Sequence, residues 1–214
     1  MKLTLAFSAL LATTTALSIV SSRSLTEREE SDLSSRNLYK PTCPKNGNLP
    51  EKNYLSPTLM VPISKSRPDK AFGSTNRPKI TPNDICTIFN LEIPGSAFGK
   101  DCTLEFLFPK FPLQTSELYV YKGQGHFTFT GYAFGTGATL KTTYNDQPLA
   151  GPSPPQPPAV LAPGNAYVIN VGPCGIPEGQ KSMTVSGALC STDTTFIFKQ
   201  DSSTCPIGFF VLIS

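Results

Sequence analysis

Tryptophan is absent from the 214 residues, histidine occurs once, and charged residues make up only 15% of the chain. Each scarcity closes a class of function. With one imidazole, any Ser-His-Asp or Cys-His relay has to use His126, and no G-x-S-x-G elbow accompanies it. No two cysteines lie two to four residues apart, which removes the paired-ligand spacing of structural zinc sites. A net charge of +3 is too small for a basic field that would hold nucleic acid or an anionic membrane surface. There is no Asn-x-Ser/Thr sequon, hence no acceptor for N-glycosylation. Beyond the N-terminus no run approaches the roughly 20 apolar residues of a bilayer span. The apolar end, Pro206 to Ser214, is too short for a glycolipid-anchor signal and reads as a last core strand.

What is present begins with a secretion signal. Met1-Lys2, the apolar run Leu3 to Ala12 and the small residues Thr14-Thr15-Ala16 predict a signal peptide over 1–16, cleaved before Leu17. Residues 17–50 read as a disordered leader, because Leu25 to Arg36 mixes charge and serine without apolar periodicity. The six cysteines, Cys43, Cys86, Cys102, Cys174, Cys190 and Cys205, form an even set in a secretory context and predict three disulfides. Six cysteines allow 15 pairings, and spacing does not choose among them. The chain is therefore expected to be secreted, with no integral membrane segment after signal cleavage.

Residues 51–214 read as a single all-β, sandwich-like domain of about nine strands. Short apolar runs alternate with turn residues, and 21 prolines and 16 glycines punctuate them. Strands are predicted over 86–93, 102–108, 117–122, 126–130, 138–144, 166–171, 183–189, 194–199 and 208–213. Parity sends Phe89, Leu91 and Ile93 inward, and likewise Cys102, Leu104, Phe106 and Phe108. The proline-rich stretch 151–163 reads as a loop, since its prolines cannot donate to a ladder.

Several segments also resemble a known family. YLSPTLMVPIS (54–64), RPDKAFGS (67–74), CTIFNLEIPG (86–95), GKDCTLEFLFP (99–109), TTYNDQP (142–148), LAPGNAYVINVGPCG (161–175) and IGFFVL (207–212) look like the But2 C-terminal domain family. The family consists mostly of small secreted or surface proteins of fungi. The resemblance implies a β-sandwich-like domain and supplies no catalytic residues. The family's name refers to a ubiquitin-like modifier, an intracellular partner that a chain with a signal peptide would not meet.

The search for chemistry yields only weak candidates. His126 falls on the outward parity of its strand. Carboxylates that would serve a hydrolase are Glu92, Glu105, Glu117, Asp146 and Asp201, with Glu92 and Glu105 conceivable neighbours across a groove. Asn145, Asp146 and Gln147, with Asp101 and Asp201, offer oxygen ligands for calcium, although turn chemistry accounts for Asn-Asp equally well. Lys65, Arg67, Lys70, Arg77 and Lys79 gather in one stretch that reads as a solvated loop. Among the tyrosines 119, 121, 132, 144 and 167, the pair Tyr119 and Tyr121 shares a strand face. It is the candidate platform for stacking on sugar rings.

No catalytic residue, metal or cofactor is expected. The reading is a non-enzymatic protein acting outside the cell on an unidentified protein partner or wall polysaccharide. It is wall-associated or, where the source lives on a host, an effector. The alternatives are a carbohydrate-binding module and, third, a hydrolase using surface carboxylates.

Overall fold

The computed structural model describes residues 42–44, 49–50, 52–110, 119–151, 158–202 and 205–214. All of them fall in one compact unit, Lys40–Ser214. The expected signal peptide (1–16), most of the leader (17–50) and Glu117 lie outside the described residues.

The fold is all-β. In chain order the strands are β1 (Tyr54–Leu55), β2 (Leu59–Ser64), β3 (Lys79–Ile80), β4 (Ile85–Pro94), β5 (Asp101–Phe108), β6 (Tyr119–Lys122), β7 (Phe127–Gly131), β8 (Asn165–Pro173), β9 (Ser182–Ser191), β10 (Thr195–Phe198) and β11 (Gly208–Ile213). They form two four-stranded sheets, β1-β11-β5-β8 and β2-β4-β9-β7, and a small third sheet, β3-β10-β6. Every pairing is antiparallel.

Parity explains how the large sheets meet. Phe89 on β4 and Phe209 on β11 stand 4.7 Å apart between ring centroids, and Phe129 on β7 meets Phe209 at 5.6 Å. The third sheet closes one end of the space between them. There Phe196 and Phe198 of β10 pack against Phe106 and Phe108 of β5, with centroids 4.8–6.0 Å apart. Each fully buried phenylalanine contributes about 1.5–3 kcal/mol through area removed from water. A second apolar layer, Val61, Ile63, Cys86, Ile88, Tyr132, Ala138 and Ala188, covers the outer side of β2-β4-β9.

Eight of the nine expected strands coincide with observed ones; β6 is described from Tyr119. The exception is 138–144, which is a turn segment. Asn90 replaces a neighbouring strand there: its Nδ2 donates to Ala138 O and its Oδ1 accepts from Ala138 N, both at 2.9 Å. Thr139 and Thr142 then bond each other's backbone, the local competition that takes threonine out of ladders. β2 carries Pro62 and accordingly lies at a sheet edge.

All six cysteines are paired, as Cys43–Cys205, Cys86–Cys190 and Cys102–Cys174. Cys86–Cys190 links neighbouring strands β4 and β9, and Cys102–Cys174 ties β5 to the residue after β8. Cys43–Cys205 tethers the chain ahead of β1 to the approach of β11. Domain contacts thus begin before residue 51: Thr42 bridges Lys110, and Pro44 is buried.

Candidate functional site

The end of the inter-sheet space remote from the third sheet is not filled. A cavity of about 360 Å³ lies there, walled by Phe89, Leu91 and Ile93 of β4, Val185 to Gly187 of β9, Cys102 and Leu104 of β5, and Phe209 and Val211 of β11. Its remaining wall comes from β7 and β8, the edge strands of the two sheets. The exposed lining residues, Phe134, Asn170 and Pro173, follow or belong to these edges, so the mouth opens between them. Among the described residues no charged side chain lines it.

Three local features shape the mouth. First, the β5–β8 register slips between Leu104 and Glu105, so that Glu105 faces Val168 and Leu104 faces Asn170. The extra residue, Ile169, goes into the core, and the bulge re-aims the next side chain, Asn170, onto the cavity as well. Second, Gly172 sits opposite Cys102 on the same wall, and a Cβ at that position would meet nothing within 4 Å. The cavity extends into the room a side chain would have taken. Third, Phe134 is 63% exposed on the turn after β7, and its ring lies 3.4 Å from where a side chain at Gly175 would start. The ring reaches from one edge of the mouth to the other.

Tyr132, also in the wall, donates to Gln147 Oε1 at 2.7 Å, and burial pushes its phenol up to about 12. The Asn170 amide makes no hydrogen bond among the described residues. Tyr132 is thus a satisfied wall residue, and Asn170 is the polar group left open at the mouth.

The sequence candidates are dispersed by the fold. Tyr119 and Tyr121 do share a face, but it is the inner one. Tyr119 is 1% exposed and packs against Phe108 and Phe196, while Tyr121 donates its hydroxyl to Leu161 O at 2.8 Å. This corrects the sugar-stacking platform: the rings were drawn inward because the third sheet needs an apolar face. Glu92 and Glu105 are likewise not partners. Each alternates with inward residues of opposed sheets, so the two carboxylates point to opposite outer faces. Glu92 accepts from Thr184 Oγ1 at 2.6 Å, and burial raises the pKa of Glu105.

His126 does meet a carboxylate and a serine, in the wrong arrangement for catalysis. Its Nδ1 lies 2.5 Å from Asp193 Oδ2, but Ser191 Oγ donates to the His126 backbone carbonyl at 2.6 Å and not to the imidazole. Asp193 is held below the usual carboxylate range, first by the Thr194 hydroxyl and then by His126. The cluster fixes the β9–β10 turn. Asn145 and Gln147 are engaged with Asp69 and with Tyr132 and Tyr144, and no group of three His, Cys, Asp or Glu able to hold a metal occurs among the described residues. In the basic stretch, Arg67 and Lys70 stack on Phe72 at 4.8 and 5.2 Å.

The geometry therefore offers an apolar cleft, and His126, Glu92 and Glu105 form no catalytic relay. Residues 55–204, most of the β-domain, match the family described as the ubiquitin 3 binding protein But2 C-terminal domain. The chain belongs to the But2 C-terminal domain family. That description is of a binding protein. No curated protein and no solved structure matches the chain significantly. Three disulfides fit an extracellular member of the family, and no helix among the described residues is long and apolar enough to cross a membrane.

The cavity residues were missed in the sequence because they lack any chemical motif. One signal was available: Phe134 is a large apolar side chain inside a glycine-rich turn (FGTG, 134–137), whereas strand alternation from Ile169 would place Gly172 outward and only the bulge turns it to the cavity.

Proposed function

We propose that this But2-family protein acts outside the cell as a non-enzymatic binding protein whose site is the apolar cleft between the edges of β7 and β8. The observation that carries the reading is the cleft itself. Its volume lies in the range of small-molecule sites, its walls are apolar, and the missing side chain at Gly172 enlarges it. Partition of an apolar ligand from water into such walls supplies the affinity. The ubiquitin 3 of the family description is not carried to this chain, since the signal peptide proposed over 1–16 sends it to another compartment.

Secretion with cleavage after Ala16, and retention on a wall or action as an effector, belong to the same proposal. Fractionation of the producing cells into culture fluid and wall extracts, with mass spectrometry of the N-terminus, tests them.

The binding site is tested with the neutral fluorescent dye Nile red on the full secreted protein. Saturable binding is expected, and Gly172→Phe is expected to abolish it while leaving the thermal melt in place. Phe134→Ala, at an exposed position, should weaken it without touching the core. No dye binding by the wild-type protein, or undiminished binding by both variants, removes the cleft as a site.

A further inference from the structure

We propose that the ligand of the cleft is a neutral lipid bearing a single hydroxyl, with its apolar body between the sheets and its head on the Asn170 amide. The inference rests on the reading of the cleft as the binding site and adds the chemistry of what enters.

Charge comes first. No cationic side chain lines the cavity, so an ionised carboxylate or phosphate drawn to its mouth would leave water without a counter-charge. Even partial loss of hydration against apolar walls costs an unpaired anion more than it costs a hydroxyl, whose lost water contact the amide replaces. The same holds for an ammonium head, because no acidic residue lines the cavity either. Neutral molecules are the ones admitted.

Polarity comes second. The walls are apolar over β4, β5, β9 and β11, and Ser186 and Tyr132 already donate their hydroxyls to Thr136 O and Gln147 Oε1. Asn170 alone among these polar side chains has both amide ends uncommitted. Its position is not incidental to the strand. Without the bulge at Leu104/Glu105, alternation after inward Ile169 would turn Asn170 outward, and the bulge instead presents two successive residues to the interior side. One, Ile169, is buried among core side chains; the other is an amide at the lip of an apolar cavity. An amide both donates and accepts, which matches a hydroxyl that does the same.

A straight-chain alcohol and a sterol share this chemistry. Displacement of Nile red from the full secreted protein separates them and tests the proposal. Dodecanol or cholesterol is expected to displace the dye at pH 8, and the one that does so identifies the shape of the apolar body. Dodecanoate should fail at pH 8 and begin to compete only as the solution is acidified toward the carboxyl's own pKa. Asn170→Leu, a substitution at an exposed strand position, should weaken the hydroxyl ligand about five- to tenfold relative to Nile red, whose affinity is measured on the same variant.

Equal displacement by dodecanoate and dodecanol at pH 8 would overturn the neutral-head inference and leave the cleft standing as a site. An Asn170→Leu variant with unchanged dodecanol and cholesterol affinity would overturn the assignment of the head to Asn170. Dye bound in the cleft but displaced by neither hydroxyl lipid also overturns the proposal. If the wild-type protein takes up no dye, the failure lies with the cleft itself.

Discussion

The two ends of the space between the large sheets are built from different residues. At the end closed by the third sheet, Phe106, Phe108, Tyr119, Phe196 and Phe198 form a continuous cluster, all 0–1% exposed, with edge-to-face contacts apart from the stacked pair Phe196 and Phe198 and the tilted pair Phe108 and Phe196. At the other end, beyond the rings of Phe89 and Phe209, the packing is aliphatic, from Leu91, Ile93, Met183, Ile176 and Val211, and the Cys102–Cys174 disulfide stands in the wall. Rings fill the first end completely. Aliphatic side chains and glycines leave the second open, and a covalent tie stands where no third sheet closes it. The packed aromatic core of this sandwich and its proposed binding site thus occupy opposite ends of one interior.

The largest effect expected from breaking that division is at the aromatic end. Phe106→Ala removes the ring that touches Phe108, Phe196, Phe198 and Phe209, and should cost about 3–5 kcal/mol in a urea titration. Next comes the tie at the open end. Replacing Cys102 and Cys174 together by alanine should cost about 2–4 kcal/mol, and should weaken Nile red binding as the β8 wall loosens. Gly172→Phe should move stability by no more than about 1 kcal/mol, since its side chain enters open space on an edge strand. If Gly172→Phe were as damaging as Phe106→Ala, the open end would be part of the packed core and the division would fail.

The smallest effect sharpens the border between the ends. Glu105 stands on the outer face between Leu104, which lines the cavity, and Phe106, which begins the aromatic cluster. Burial raises its pKa. A carboxyl raised in the folded state contributes stability fully below its unfolded pKa, and that contribution is lost as pH rises through the folded value. Glu105→Gln should therefore raise the melting temperature slightly at pH 7, with the difference vanishing below about pH 4. A gain that persists in acid would show that the charge is not its source.

Much of this was legible in the residues. Alternation in CTIFNLEI and CTLEFLF placed Phe89, Leu91, Cys102, Leu104 and Phe106 on the inner faces, where they are, because the period of two is a property of the pleat. The even cysteine set announced three disulfides. The 138–144 segment misled because threonine alternation looks the same whether the hydroxyls face solvent or capture the backbone. Tyr119 and Tyr121 misled because parity says that two side chains share a face and not whether that face is covered.

Local composition and periodicity were enough for the all-β class, most of the strands and the family resemblance, since these depend on neighbours one or two residues away. The pairing of Cys43 with Cys205 across 162 residues was not, nor was the separation of Glu92 from Glu105 onto opposite faces. The cleft at Gly172 and Asn170 belongs with these. It exists because a bulge shifts one strand by a residue and two sheet edges diverge, and both are relations between segments distant in the chain that no local pattern encodes.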